Sequence, residues 1–376
     1  MPRRLLLPVL VVVGALALAA CVPVAEQPPP AGGGGGGGGG APGLPAAPGG
    51  SSTGPVQSDT NADPTPGADS WAVIDAPDPF VLRVDPSFCA ADNGGVAPGA
   101  CYYAYSTMVL YNPVPVWRSS DLTHWHMAGI DGSDADTWPD GTAVDPNTFS
   151  PWSKYFDKWA PSVIQVGGQY VMWYAARSKA SNQHCLGVAV ASSPDGPFTD
   201  AKSPYCRDGE GGVIDPSPFV DTNGKRYLTY KTEIFGGIIH AAQLSGDGTT
   251  LLSEGTLLTN GGGWELPRIE GPTLWWSPSG IFLFYSAGAW EDGSYVVGVA
   301  RCNGPLGPCS RVYSTPVLGS RGGARGPGGQ TPFVDAGGVV WLAFHSWTSP
   351  DVGYPDGARS IHLLHVSWPG GNPKVG

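Results

Sequence analysis

Four stretches of the chain repeat one pattern at nearly constant spacing. They read Trp159-Ala-Pro-Ser-Val163, Ile214-Asp-Pro-Ser-Pro-Phe-Val220, Glu270-Gly-Pro-Thr-Leu274 and Gly329-Gln-Thr-Pro-Phe-Val334. Each runs through a Gly-containing turn into a strand rich in aromatics: Tyr170-Val-Met-Trp-Tyr174, Tyr227-Leu-Thr-Tyr230, Ile281-Phe-Leu-Phe-Tyr285 and Val340-Trp-Leu-Ala-Phe344. A fifth opening, Ala76-Pro-Asp-Pro-Phe-Val81, comes earlier and leads to Tyr102-Tyr-Ala-Tyr105. Pro161, Pro216, Pro272 and Pro332 lie 55, 56 and 60 residues apart. That period suits a four-stranded blade with its loops, so five openings predict an all-β fold, a five-bladed β-propeller. A β-sandwich would give no reason for the period. Helical patterning is nearly absent after residue 70, where Pro and Gly interrupt almost every segment. The longer first interval is expected to hold a Cys89–Cys101 insertion and a loop around residues 131–149.

The front of the chain is not part of this repeat. Arg3 and Arg4 precede an apolar run from Leu5 to Ala20, placed like a signal sequence, and Leu18-Ala-Ala-Cys21 closes it in the manner of a bacterial lipobox. Residues 1–20 are therefore expected to be a lipoprotein signal peptide and Cys21 the lipidated residue, with an ordinary cleaved secretory signal as the other reading. From Val22 to Ser70 the composition collapses to Gly, Pro, Ala and Ser, with nine consecutive glycines at 32–40. Such a segment cannot bury enough apolar surface to offset its ordering entropy, so residues 21–70 are expected to be a disordered tether. A flexible coil of that length spans about 40 Å. Residues 71–376 remain for the propeller, long enough for one large core. These expectations put the protein outside a bacterial cell, membrane-bound only through lipid and otherwise a monomer.

Charge narrows the partners. The formal net charge is −11, and loss of the signal with its two arginines makes the balance more acidic. Nucleic acid and anionic lipid surfaces are poor partners for such a chain. Fourteen Trp and fourteen Tyr supply faces that stack on sugar rings, although most aromatics in such a chain belong to the core. Seven cysteines leave six once Cys21 is set aside. Six allow fifteen pairings, of which the local set Cys89–Cys101, Cys185–Cys206 and Cys302–Cys309 looks the most natural for an exported protein. No Cys-x-x-Cys or paired Cys/His spacing supports a zinc site.

In a propeller the inner strand of each blade lines the axis, so Asp78, Asp215 and Glu270 can converge from three blades. Hydrolysis of a glycosidic bond with inversion needs one ionised and one protonated carboxyl, about 6.5–9.5 Å apart to admit a water. A third acid keeps the two pKa values different. Each residue also has a plainer use. An Asp before Pro is a common turn former, and Glu270-Gly suits a solvent-facing strand end. Asp145-Pro146 is read as a turn of this kind.

Together Asp78-Pro-Phe-Val81, Ser119-Ser-Asp-Leu-Thr-His-Trp125, Trp159-Ala-Pro-Ser-Val163, Ile214-Asp-Pro-Ser-Pro-Phe219 and Glu270-Gly-Pro272 resemble glycoside hydrolase family 43 in order and spacing. That resemblance implies inverting, five-bladed enzymes acting mainly on arabinose- and xylose-containing polysaccharides. It makes Asp78 the general base, Glu270 the general acid, and Asp215 the residue that holds the acid and raises its pKa. Trp159 is placed to stack on the cleaved sugar and would serve equally as a core residue. Arg359 matches a late substrate-contacting arginine of the family, with a surface salt bridge as its other use.

Many members carry a Gly-His pair in the last blade that helps hold a metal through water; here the sequence is Gly328-Gly-Gln330. Gln is a poorer ligand, which puts an axial Ca²⁺ in doubt and leaves His345 as a weak metal candidate or a satisfied core residue. No cofactor is required. Arabinan or arabinoxylan is the first substrate expected and β-xylosides the second. A surface carbohydrate-binding propeller without turnover is the reading outside enzymes. Fructan-hydrolysing propellers and sialidases fit less well, because their characteristic motifs are broken or missing.

Overall fold

The aromatic runs form the second strand of each blade, and alternation of side chains buries both faces of every one. In Gly280–Ala287, Phe282 and Phe284 pack on Leu342 and Phe344 of the following blade. Leu283 and Tyr285 of the same strand pack on Ile239 and Ala241 of the preceding one. Cys101–Tyr105 behaves likewise: Tyr102 and Ala104 face Phe333, Trp341 and Ile361, while Tyr103 and Tyr105 face Val163, Met172 and Phe198. A strand sandwiched between two neighbouring sheets has no polar face, which is why these runs read as continuously apolar.

The computed structural model describes the backbone at Gln57–Asp59 and Trp71–Ala72, then residues 75–129, 141–348, 351–354 and 356–376. Its sheets follow one another along the chain as five antiparallel blades. The inner strands are Phe80–Val84, Ser153–Val166, Val213–Val220, Ile269–Ser277 and Ala324–Val334, and each contacts the next around the ring, the last against the first. The five-bladed propeller is the architecture expected from the repeat. Helical structure among the described residues is limited to short 3-10 turns. Cys21 and most of residues 1–70 lie outside the described residues, as do residues 131–140 of the long first-interval loop. Within the stretch read as tether, Gln57–Asp59 pairs with Trp71–Ala72 and runs parallel to His124–Met127.

Each blade's four core strands are contiguous in sequence, so ring closure falls on contacts between blades 5 and 1. Thr331 Oγ1 donates to the Pro79 carbonyl at 3.0 Å, Arg83 Nη1 to the Asp335 carbonyl at 2.7 Å, and Ala336 N to Tyr102 Oη at 2.9 Å. Around them Trp341, Phe333, Ile361 and Leu363 meet Val81, Trp117 and Trp125. Cys89–Cys101, Cys185–Cys206 and Cys302–Cys309 are disulfides, each stapling strands or loops within one blade. Closure therefore rests on packing rather than on a covalent link. Trp341, 4% exposed and donating to Asp335 Oδ2, sits at that seam. Truncation to Ala is expected to cost about 3–5 kcal/mol in urea-monitored unfolding, and a change below about 1 kcal/mol would show that the seam does not carry closure.

Candidate active site

The repeat openings of blades 2 to 5 become bulges at the head of an inner strand, and that of blade 1 is a left-handed turn at Asp78 just ahead of its inner strand. In blades 2 to 5 the pairing slips by one residue between Trp159 and Ser162, Ile214 and Ser217, Glu270 and Thr273, and Gly328 and Thr331. One residue stands in the left-handed region at the same point of every blade. The residues are Asp78 (φ 54°), Ala160 (45°), Asp215 (58°), Gly271 (55°) and Gly329 (57°). Asp tolerates that conformation better than most residues, but a following Pro opposes it. All five line one axial cavity, together with Pro161, Pro216, Pro272 and Gln330. Blade 5 corrects the sequence register: Gln330, not Pro332, stands where Pro272 stands in blade 4.

A belt of hydroxyls ties these heads together. Ser162 Oγ donates to the Pro216 carbonyl at 2.7 Å, Thr229 Oγ1 to Pro272 at 2.7 Å, and Thr273 Oγ1 to Gln330 at 2.9 Å. Thr331 to Pro79 completes the turn. Between blades 1 and 2 the link is Thr107, which accepts from Ala160 N at 2.8 Å and donates to Asp78 Oδ2 at 2.7 Å.

Asp78 is held from three sides. Its backbone N–H donates to His345 Nδ1 at 2.9 Å, its Oδ2 takes the Thr107 hydroxyl, and the Arg359 charge acts on it. Burial disfavours its anion, while the Arg359 charge and the Thr107 hydroxyl favour it, and the carboxyl stays well below the usual range. Gly329 is required beside it, since a Cβ there would lie 2.4 Å from Asp78 Oδ1.

Asp215 has the opposite setting. Burial first, then the Glu270 charge, push its carboxyl up to about 8, against the pull of Lys231 and of the Gly271 N–H, which donates to Oδ2 at 2.8 Å. Glu270 stands one residue before Gly271. It accepts from Lys231 Nζ at 2.8 Å on Oε2 and from Tyr295 Oη at 2.9 Å on Oε1, with Arg268 Nε at 3.6 Å. Lys231 and Glu270 are 6% and 8% exposed, and removing one partner of such a buried pair costs about 3–5 kcal/mol. Burial and the charges of Glu270, Asp78 and Asp215 push the Tyr295 phenol up, so it remains a donor among all three acids. A Cβ at Gly328 would meet the Tyr295 ring at 2.1 Å.

Arg359, read as a substrate contact, is 7% exposed and lies 4.5, 5.5 and 5.7 Å from the rings of Trp290, Tyr354 and Trp347. It is not in a surface salt bridge. Trp159 heads blade 2 half-buried, its ring 4.0 Å from that of His184. Lys231, Tyr295, Thr107 and Trp290 were not picked out from sequence. Lys231 alone carried a signal, as a charge in a strand otherwise destined for burial on both faces.

The family resemblance raises an axial Ca²⁺, which takes six to eight oxygen ligands. The side chains here do not fit one. Gln330 is engaged at both ends, accepting from Ser286 Oγ at 2.8 Å and donating to the Gly271 carbonyl at 2.7 Å. His345 accepts the Asp78 N–H on Nδ1, and burial lowers its pKa. The neutral ring therefore carries its proton on Nε2, a donor with no lone pair for a cation. That Nε2 is buried with no partner among the described atoms.

The structure is a five-bladed β-propeller with buried carboxylates at one axial mouth, Asp78 held below and Asp215 above the usual range. The sequence model of glycosyl hydrolases family 43 matches residues 75–373, and the chain belongs to that family of glycoside hydrolases. It is similar to an extracellular endo-alpha-(1->5)-L-arabinanase of Thermotoga petrophila, 27% identical over 63% of this chain and 50% of that protein. A probable arabinan endo-1,5-alpha-L-arabinosidase A of Aspergillus flavus is 25% identical over 75% of this chain and 93% of that one. The chain spans about half the length of the extracellular bacterial arabinanases it matches. Among solved structures, a thermostable family-43 glycoside hydrolase superposes with a TM-score of 0.66 at 25% identity, over 81% of this chain and 93% of that one.

Asp215 makes a testable mark on stability. Its folded value of about 8 lies above the ~3.9 of an unfolded aspartate, so its contribution is complete below about pH 4 and is lost as pH rises through about 8. Relative to wild type, Asp215→Asn is expected to gain stability steadily across that window in urea unfolding at a series of pH values. A flat difference would rule out the raised carboxyl.

Proposed function

We propose that this protein hydrolyses arabinose-containing polysaccharide, arabinan first, with inversion at the anomeric carbon. Asp78, held ionised, is the general base that takes a proton from the attacking water. Glu270 is the general acid: it takes up the proton that the pair holds on Asp215 and, as the bond from the anomeric carbon to the leaving oxygen breaks, delivers it to that oxygen. Asp215 keeps one proton in the acid pair across neutral pH and positions the head of the Glu270 strand through the Gly271 N–H. Arg359 reinforces the Asp78 anion, and Trp159 offers a face to the sugar at the mouth. The observation that carries the reading is the convergence of acids from blades 1, 3 and 4 on one axial mouth, where Asp78, Asp215 and Gly271 line the cavity and the Gly271 N–H ties the head of the Glu270 strand to Asp215. The arabinan assignment draws on the similar proteins; β-xylosides are the comparison substrate.

Asp78→Asn and Glu270→Gln are each expected to lower turnover of debranched arabinan by about 10²–10⁴-fold in protein that circular dichroism shows to be folded, with Glu270→Gln the less stable because Lys231 loses its buried charge partner. Proton NMR of early product should show the inverted anomer. Retention of configuration, or full activity in either variant, would overturn the assignment, and preference for aryl xylosides would move the substrate.

We also propose export, with the mature chain held on the outside of the cell through lipid on Cys21. The three disulfides and the order of basic, apolar and Cys elements support it. Cys21→Ala is expected to abolish fatty-acid labelling and move the protein out of the membrane fraction. Labelling that persists would reject the anchor.

A further inference from the structure

The acids stand at the start of the inner strands, so the loops that leave the second strands and those that enter the inner strands share their end of the propeller. Ten large hydrophobic residues are exposed among the described residues, and eight of them lie on those loops or at an inner strand's start: Leu110, Tyr111, Tyr155, Phe156, Ile234, Phe235, Leu266 and Tyr354. Val96 and Leu252 are at the other end. Four of the eight form one built surface. Leu110 and Tyr111, 83% and 66% exposed, make the tip of a two-residue turn closed by Val109 N to Asn112 O at 3.2 Å and Asn112 N to Val109 O at 3.0 Å. The Tyr111 ring lies 6.2 Å from Phe156, Phe156 lies 5.2 Å from Tyr155, and Tyr155 Oη donates to the Tyr111 carbonyl at 3.0 Å.

This ledge is held at a cost. Leu110 has φ 52° and Asp157, beside Phe156, has φ 64°. Left-handed backbone at a Leu is strained and persists where surrounding structure imposes it. An exposed apolar patch bought with strain marks an interaction surface. It is continuous with the acids: Thr107, three residues before Leu110, donates to Asp78, and Met108 N bonds to the Lys158 carbonyl at 2.9 Å. Three residues reach at most about 11 Å, so the ledge begins within that distance of the residue that bonds Asp78. Its charged neighbours are engaged elsewhere, Asp157 with Arg177 at 2.6 Å and Lys154 with Asn182. The surface therefore suits the apolar C–H face of an uncharged sugar rather than an anionic chain.

We propose that Leu110, Tyr111, Tyr155 and Phe156 form a distal subsite that grips a neutral polysaccharide chain beyond the bond being cleaved, making the polymer rather than a single terminal sugar the preferred substrate. This rests on the glycosidase reading above and specifies its substrate class. The test uses the double variant Tyr111→Ala/Phe156→Ala, which leaves the Tyr155 bond to the Tyr111 backbone carbonyl available. The ratio of kcat/KM on debranched arabinan to kcat/KM on an aryl arabinofuranoside is expected to fall at least about tenfold, a loss of about 1.4 kcal/mol in discrimination. Leu252→Ala, at the far end, is expected to leave the ratio as in wild type.

A double variant whose ratio stays within twofold of wild type, or an equal fall in Leu252→Ala, overturns the subsite. Should wild type cleave neither substrate, the catalytic reading fails separately. Retardation in gels containing debranched arabinan then decides the ledge: wild type retarded and the double variant not supports it, and equal migration overturns it. Self-association relieved by the double variant, without loss of the polymer preference, would assign the surface to a second copy of the chain and overturn the subsite too.

Discussion

At the head of every inner strand the backbone passes through the left-handed region for one residue, and the whole axial mouth depends on that turn. The left-handed residue lets the chain leave the alternation of the strand and line the axial cavity. In blades 1 and 3 that residue is an Asp. In blade 4 it is Gly271, and Glu270 directly precedes it. Such a turn ahead of Pro is held only because its neighbours are tied. The belt from Ser162, Thr229, Thr273 and Thr331 to the next blade's carbonyl supplies that tie, and Thr107 supplies it between blades 1 and 2. The same bonds join neighbouring blades, so the geometry of the mouth and the closure of the ring share one set of contacts.

Three carboxylates so placed would behave alike if burial alone acted on them. Their partners separate them. Asp78 faces a hydroxyl and a guanidinium, and its anion is favoured against burial. Asp215 has a single backbone N–H and a neighbouring acid, so burial and repulsion favour its proton. Glu270 lies between an ammonium and a phenol. Removing the Lys231 charge would therefore disturb both Glu270 and Asp215. The neutral His345 matters through position: its Nδ1 fixes the Asp78 backbone, and that same bond turns its Nε2 proton away from any role as a metal ligand.

Much of this was legible before folding. The aromatic runs betray strands buried on both faces, the spacing betrays blades, and the short cysteine separations match the bridges observed. The three acids were visible because each sits inside a repeated motif. Asp145-Pro146 shows why the motif was needed. Without an aromatic strand behind it, Asp145 forms an ordinary turn, accepting from Asn147 N at 2.9 Å. The register of blade 5 was misread because Pro332 imitates the prolines of other blades, while the bulge follows Gly329. Tyr295 and Thr107 left no trace in the sequence, since each reaches the acids from a neighbouring loop and carries a residue type common elsewhere in the chain.

The sequence by itself determined the all-β class and the number of blades and singled out the acids that cluster, while it left the disulfide pairing open among fifteen with the local set the most natural. These follow from local period and composition, which survive in one dimension. Only the tertiary structure decided how the acids differ, that Arg359 is enclosed by aromatic rings, and that His345 and Gln330 are committed to hydrogen bonds rather than to a metal. Protonation and ligation depend on the few atoms within about 4–6 Å of a group. In a closed ring those atoms come from blades far apart in the chain, so no spacing along the sequence can encode them.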